Sequence, residues 1–148
     1  MPRIERSANV TWEGNVARGT GLISADTGAF TKLPYSLPTR VGQAEGKTSP
    51  EELLAAAHAG CLAMSLAGEL LDPDARVEVA TTIRMDEVDG KGHQVVASTV
   101  AIRGRVAGLS PAEWERKVAA ADAGCSFSTL LRNAGVEVTI NAELEEGT

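Results

Sequence analysis

The amino-acid sequence predicts an α+β fold. Three observations carry that expectation. Period-two alternation of apolar and polar residues occurs near both ends of the chain. A single long apolar stretch, "SPEELLAAAHAGCLAMSL", lies between them. The elements then follow in the order β-β-β-α-β-β-α-α-β. At 148 residues, 43% hydrophobic and 23% charged, the chain suits one domain, residues 1–148, with a sizeable core.

Residues 5–34 alternate short apolar and polar pieces broken by glycine, and read as a three-stranded antiparallel meander with turns near Gly14 and at "ADTG". Residues 35–48, with two glycines, a proline and no periodicity, read as a loop. A loop of that length in a small domain invites a functional explanation. The central helix, residues 49–71, opens with Ser49 as N-cap, Pro50 in its first turn and Glu52 completing a capping box, and Asp72-Pro73 ends it. This helix is apolar nearly all round, so it is expected to be covered on several sides. One small sheet cannot do that, and a partner chain is the natural cover.

Residues 76–145 read as β-β-α-α-β. "RVEVATTIRMDEV" and "HQVVASTVAIRGRV" alternate with period two and are joined by "DGKG", a hairpin signal. The next helix opens with Ser110-Pro111 and a second capping box ending at Glu113, with Trp114 and Val118 on its buried face. Gly124-Cys125 breaks the pattern, "SFSTLLRNAG" makes a short helix closed near Asn133 and Gly135, and "VEVTINAEL" is a last strand.

A net charge of −6 argues against nucleic-acid or anionic-membrane partners. The beginning, "MPRIERSANVTWEG", lacks the apolar core of a secretory signal. His58, Ser65 and Glu69 interrupt the apolar run 53–71, which disfavours a membrane span. A soluble, cytoplasmic protein is therefore expected, and in that setting its two cysteines point to free thiols or redox chemistry.

Cys61 has two readings, a small buried hydrophobe or a reactive thiol. Cys125 bears on the choice, because it precedes a helix whose N–H groups and dipole favour a thiolate. Together they suggest a peroxidatic and a resolving cysteine that only the fold can bring together. Glu52 is occupied by its capping role, whereas Glu51 is not. Glu51 and Cys61 stand about 15 Å apart along one helix, too far for contact within it. Two such helices running antiparallel across a two-fold axis would bring Glu51 of one chain towards Cys61 of the other. A thiolate needs a cation, and Arg40 in the long loop is the candidate, its guanidinium able to bridge thiolate and carboxylate; Arg18 is its rival. His58 shares the helix face of Cys61 and reads more readily as a hydrogen-bonded core histidine than as a base. No zinc-ligand spacing, phosphate-cradling loop or dinucleotide fingerprint is present, so no cofactor or metal is expected.

"WEG", "GTGLISADTGAF", "PYSLPTR", "SPEELLAAAHAGCLAMSL" and "AGCSFSTLL" together resemble the OsmC branch of the OsmC/Ohr family of thiol peroxidases, from about Trp12 to Leu144. The resemblance implies an intertwined homodimer, antiparallel sheets wrapped around long central helices, with two sites at the interface. It implies that Cys61 attacks the O–O bond of an organic hydroperoxide to give a sulfenic acid, and that Cys125 condenses with it to an intramolecular disulfide. Arg40 and Glu51 match the family's activating pair, with Arg18 still in play because the Ohr branch takes its arginine from an earlier part of the chain. Family resemblance also implies recycling by a dithiol, such as a lipoyl-bearing protein. One departure is Ser126, where relatives often carry proline after the second cysteine. The competing expectation is a non-enzymatic dimer of the same fold that senses redox state or binds a ligand.

Overall fold

Three strands, β1 (Ala8–Glu13), β2 (Thr20–Ala25) and β3 (Leu33–Tyr35), form the expected antiparallel meander in the order β1-β2-β3. Trp12 and Tyr35 stand on the outer strands, both paired with Gly21 on the middle one. Their ring centroids lie 5.5 Å apart at 59°. A β-carbon at Gly21 would run into both rings, so glycine is what lets the aromatic pair close over the strand. The computed structural model describes residues 2–145, which divide into one compact unit running to Pro50 and a second beginning at Glu51.

The stretch 35–48 is not all loop, as expected from sequence, but carries a short helix, α1 (Leu37–Val41). Ser36 caps it, accepting from Thr39 N while the Thr39 side chain reaches back to the Ser36 N–H, and Pro38 lies in its first turn. Five residues are too few to leave a helical period in the sequence. The hydroxyl exchange between Ser36 and Thr39 fixes the turn instead.

The second unit is built on α2 (Pro50–Leu70), the hairpin β4 (Arg76–Val88) and β5 (Gly92–Arg105), then α3 (Pro111–Gly124), α4 (Ser126–Asn133) and β6 (Glu137–Glu145). The sequence order of elements is as expected, and so is the capping box of Ser110 and Glu113 on α3. The sheet is mixed rather than antiparallel throughout: β4 pairs β5 antiparallel, and β6 returns beside β5 in parallel. Two helices separate β5 from β6, and such a crossover is what a parallel pair requires.

Strand register lays apolar residues in rows across one sheet face. On the central strand β5, Gly104 pairs Val77 and Leu144; Ile102 pairs Val79 and Ala142; Val100 pairs Thr81 and Ile140; Ser98 pairs Ile83 and Val138. Leu62, Leu66 and Leu70 of α2 join Val100, Ile102, Trp114, Val118, Ala121 and Cys125 in one buried cluster over that face. Full burial of a leucine such as Leu62 or Leu66, both 0% exposed, stabilises by about 1.5–3 kcal/mol. Gly104 lies directly under the Trp114 ring, where a β-carbon would collide with it. By length and composition α2 could also cross a membrane, yet three of its leucines are committed to this core. The helix ends at Leu70, and Leu71 after it takes a left-handed φ of 55° before Asp72-Pro73.

Candidate active site

Helix α2 runs antiparallel to α3 and α4, and four polar contacts set the register. Lys117 Nζ donates to the carbonyl of Glu69 at 2.8 Å, and Ser65 Oγ donates to the carbonyl of Ala121 at 2.7 Å. The Cys61 and Cys125 thiols come next, near enough for Cys125 to affect the ionisation of Cys61, and His58 Nε2 meets Ser128 Oγ at 2.8 Å. Each backward step of four, four and three residues along α2 is matched by the same forward step through α3 and α4. These are the spacings that keep residues on one helix face.

The two cysteines are therefore brought together by one packing register. Both are free thiols, Cys61 half-buried and Cys125 fully buried. Cys125 is the junction between helices: it is C-cap of α3 and N-cap of α4, with its N–H donating to the Asp122 carbonyl at 3.1 Å. Its side chain makes no capping bond to α4. Instead the N–H groups of Phe127 and Ser126, in the first turn of α4, are directed at Cys61. The sequence assigned the benefit of that helix start to Cys125, whereas the crossing of α2 delivers it to Cys61.

Burial is the largest influence on the Cys61 thiol and pushes its pKa up; the Cys125 thiol adds to that, and the Phe127 and Ser126 N–H groups pull it down. The balance is raised, so within the chain Cys61 rests as a thiol, with backbone N–H donors ready for its thiolate. A serine after Cys125 keeps the N–H that the first turn offers, and the Ser126 N–H is one of the two directed at Cys61.

His58 is a core histidine, as its position suggested. It is 0% exposed, with Nδ1 2.7 Å from Ser98 Oγ and Nε2 2.8 Å from Ser128 Oγ, and both serines are also 0% exposed. Burial depresses its pKa, the Asp122 carboxylate opposes that and Arg132 reinforces it, so the ring is held neutral. A neutral imidazole has one N–H and one lone pair, and a hydroxyl can complement either. Neither Ser98 nor Ser128 was anticipated as part of a site. A signal for Ser98 exists: period two places it on the same face as Val100 and Ile102, where a serine needs a buried polar partner.

The remaining candidates are placed as follows. Arg40 is in the last turn of α1, exposed, and with Trp12, Val16, Tyr35, Ser36 and Leu37 it lines a mainly apolar cleft of about 300 Å³ in the first unit. Arg18, also exposed, is in the turn after β1, its N–H donating to Asn15 Oδ1 at 2.8 Å, and it does not line that cleft. Glu51 lies half-buried in the first turn of α2. Among the described residues, no three of His, Cys, Asp and Glu converge as a metal site would require.

The sequence profile of the family described as OsmC-like protein matches residues 42–141. The chain is similar to Peroxiredoxin OsmC of Escherichia coli (strain K12), 30% identical over 145 residues that span 96% of this chain and 98% of the relative. Among solved structures it is similar to the organic hydroperoxide resistance protein OhrB of Bacillus subtilis, with a TM-score of 0.67 at 24% identity over 94% of this chain and 98% of that one. It is also similar to an organic hydroperoxide resistance protein OsmC from Legionella pneumophila, with a TM-score of 0.70 at 23% identity over 95% and 99% of the two chains.

Proposed function

The chain belongs to the OsmC-like family, and from that premise we propose that it is a thiol peroxidase that reduces organic hydroperoxides to alcohols. The observation that carries the reading is the contact between the Cys61 and Cys125 thiols in a first-turn N–H environment. The Cys61 thiolate attacks one oxygen of R–O–O–H; the O–O bond breaks, sulfur is oxidised to a sulfenic acid and R–O⁻ leaves to take a proton. The Cys125 thiol then attacks the sulfenic sulfur, forming the Cys61–Cys125 disulfide and releasing water. An external dithiol, a lipoyl-bearing protein being the candidate, reduces that disulfide and is itself oxidised.

In this reading Arg40 supplies the cation that the Cys61 thiolate needs, and Glu51 orients its guanidinium. Arg40 is preferred to Arg18 because it lines the apolar cleft with Trp12 and Tyr35, where a hydrocarbon tail can lie. The working form is a homodimer with composite sites. Support comes from α2, where Met64, a large apolar side chain, stays 78% exposed within the single chain. The enzyme works in the cytoplasm on a hydroperoxide, without cofactor, nucleic acid or membrane.

The test is consumption of cumene hydroperoxide by wild type, Cys61→Ser and Cys125→Ser, with dihydrolipoamide and separately with dithiothreitol. The reading requires Cys61→Ser to be inactive and Cys125→Ser to complete one turnover but recycle poorly. Three equally slow proteins would leave a non-enzymatic redox-sensing or ligand-binding dimer. Hydrogen peroxide reduced faster than cumene hydroperoxide would overturn the substrate class.

A further inference from the structure

The buried His58–Ser98–Ser128 network is not used by any step of the proposed reaction, yet it shares its register with the cysteines. His58 precedes Cys61 by one helical step on α2, and Ser128 follows Cys125 by one on α4. Between those two contacts lie Ser126 and Phe127, whose N–H groups are directed at the Cys61 sulfur. On its other side the ring is tied to Ser98 in β5, at the centre of the sheet. With α4 only eight residues long and its N-cap side chain making no capping bond, little else within α4 fixes its first turn.

We propose that His58 is a positioning residue for Cys61: clamped between Ser98 and Ser128, it pins the first turn of α4 so that the Ser126 and Phe127 N–H groups stay aimed at the reacting sulfur. The inference rests on Cys61 being the reacting thiol and deepens that assignment. His58 does not touch substrate, since the ring is fully buried and both nitrogens are engaged. The charges that reach it are Asp122, which favours the imidazolium, and Arg132, which opposes it. Those two also pair with each other at 2.7 Å, linking α3 to the last turn of α4.

Substitution of His58 itself empties a fully buried site and mixes positioning with folding, so the test acts on Ser128. The intact, reduced protein is alkylated with iodoacetamide across pH 5.5–10, and modification of Cys61 is followed by peptide mass spectrometry. Ser128→Ala is expected to raise the Cys61 midpoint by about half a pH unit, roughly threefold less thiolate at neutral pH, the size of effect a helix first turn exerts on a thiol. Ser128→Thr, which keeps the hydroxyl, should restore the wild-type midpoint. Ser65→Ala removes a neighbouring contact of the same helix crossing and should cost stability without moving the midpoint. An unmoved midpoint in folded Ser128→Ala, or an equal rise in Ser65→Ala, overturns the proposal. Alkylation needs no peroxide, so an inactive wild type would sink the peroxidase reading alone, while an active enzyme with an unmoved midpoint would sink only this one.

Discussion

Cys61 and Cys125 meet thiol to thiol, one in the middle of α2 and the other at the hinge between α3 and α4. The contact has a consequence for reactivity. Burial first, then Cys125, push the Cys61 thiol up, against the pull of the Phe127 and Ser126 N–H groups. Cys125→Ala removes the second of these upward influences and leaves the donors. Cys61 is therefore expected to titrate at lower pH in Cys125→Ala than in wild type, and to alkylate faster at pH 7. Thiolate absorbance near 240 nm against pH would measure it. A higher midpoint in the variant would mean that Cys125 acts as a donor to the thiolate instead.

Gly104 has no room for a side chain beneath the Trp114 ring. The indole is 2% exposed and belongs to the central cluster, so it cannot swing out without opening the core. Gly104→Ala should therefore destabilise by about 1–3 kcal/mol, as overpacking does. Urea denaturation would report the loss, and near-UV circular dichroism the displaced indole. A stability equal to wild type would show that the strand can shift away at no cost.

Leu71 follows α2 in the left-handed region with φ of 55°, and its side chain is 83% exposed. A branched residue there is strained by about 1 kcal/mol and contributes little burial in return. Leu71→Gly is expected to stabilise the folded chain by about 0.5–1 kcal/mol, read as a higher urea midpoint. A lower midpoint would reveal an apolar contact for Leu71 in the assembled protein.

Much of this architecture could be read in advance because local chemistry and tertiary structure agree. Ser110 and Glu113 announce α3, "DGKG" the β4–β5 hairpin, and Asp72-Pro73 the end of α2. What escaped depends on contacts distant in sequence or too short to be periodic. Helix α1 is a single turn held by Ser36 and Thr39. The parallel return of β6 is decided by how two helices cross the sheet, not by its own alternation. The same holds for the site. The residue types of Cys61 and Cys125 marked them as a pair, but only the antiparallel register of α2 against α3 and α4 tells that the helix start at Ser126 serves Cys61. Ser98 and Ser128 look like ordinary small residues until His58 is found between them.

That same histidine makes the fold sensitive to acid. Burial depresses the His58 pKa below its ordinary value of 6.5, with Asp122 only partly offsetting the effect. The unfolded chain, with an unperturbed histidine, therefore binds a proton at a pH where the folded chain does not. Stability contributed by the neutral ring is fully present above about pH 6.5 and is lost as pH falls from there through the folded value. His58→Asn retains an amide that can donate and accept towards Ser98 and Ser128, but cannot titrate. At pH 7.5 wild type should be the more stable of the two in urea, and the gap should narrow steadily towards pH 5.5. Parallel stability curves across that window would mean that His58 takes up its proton as readily folded as unfolded, and that the serine hydroxyls rotate to accept from both ring nitrogens.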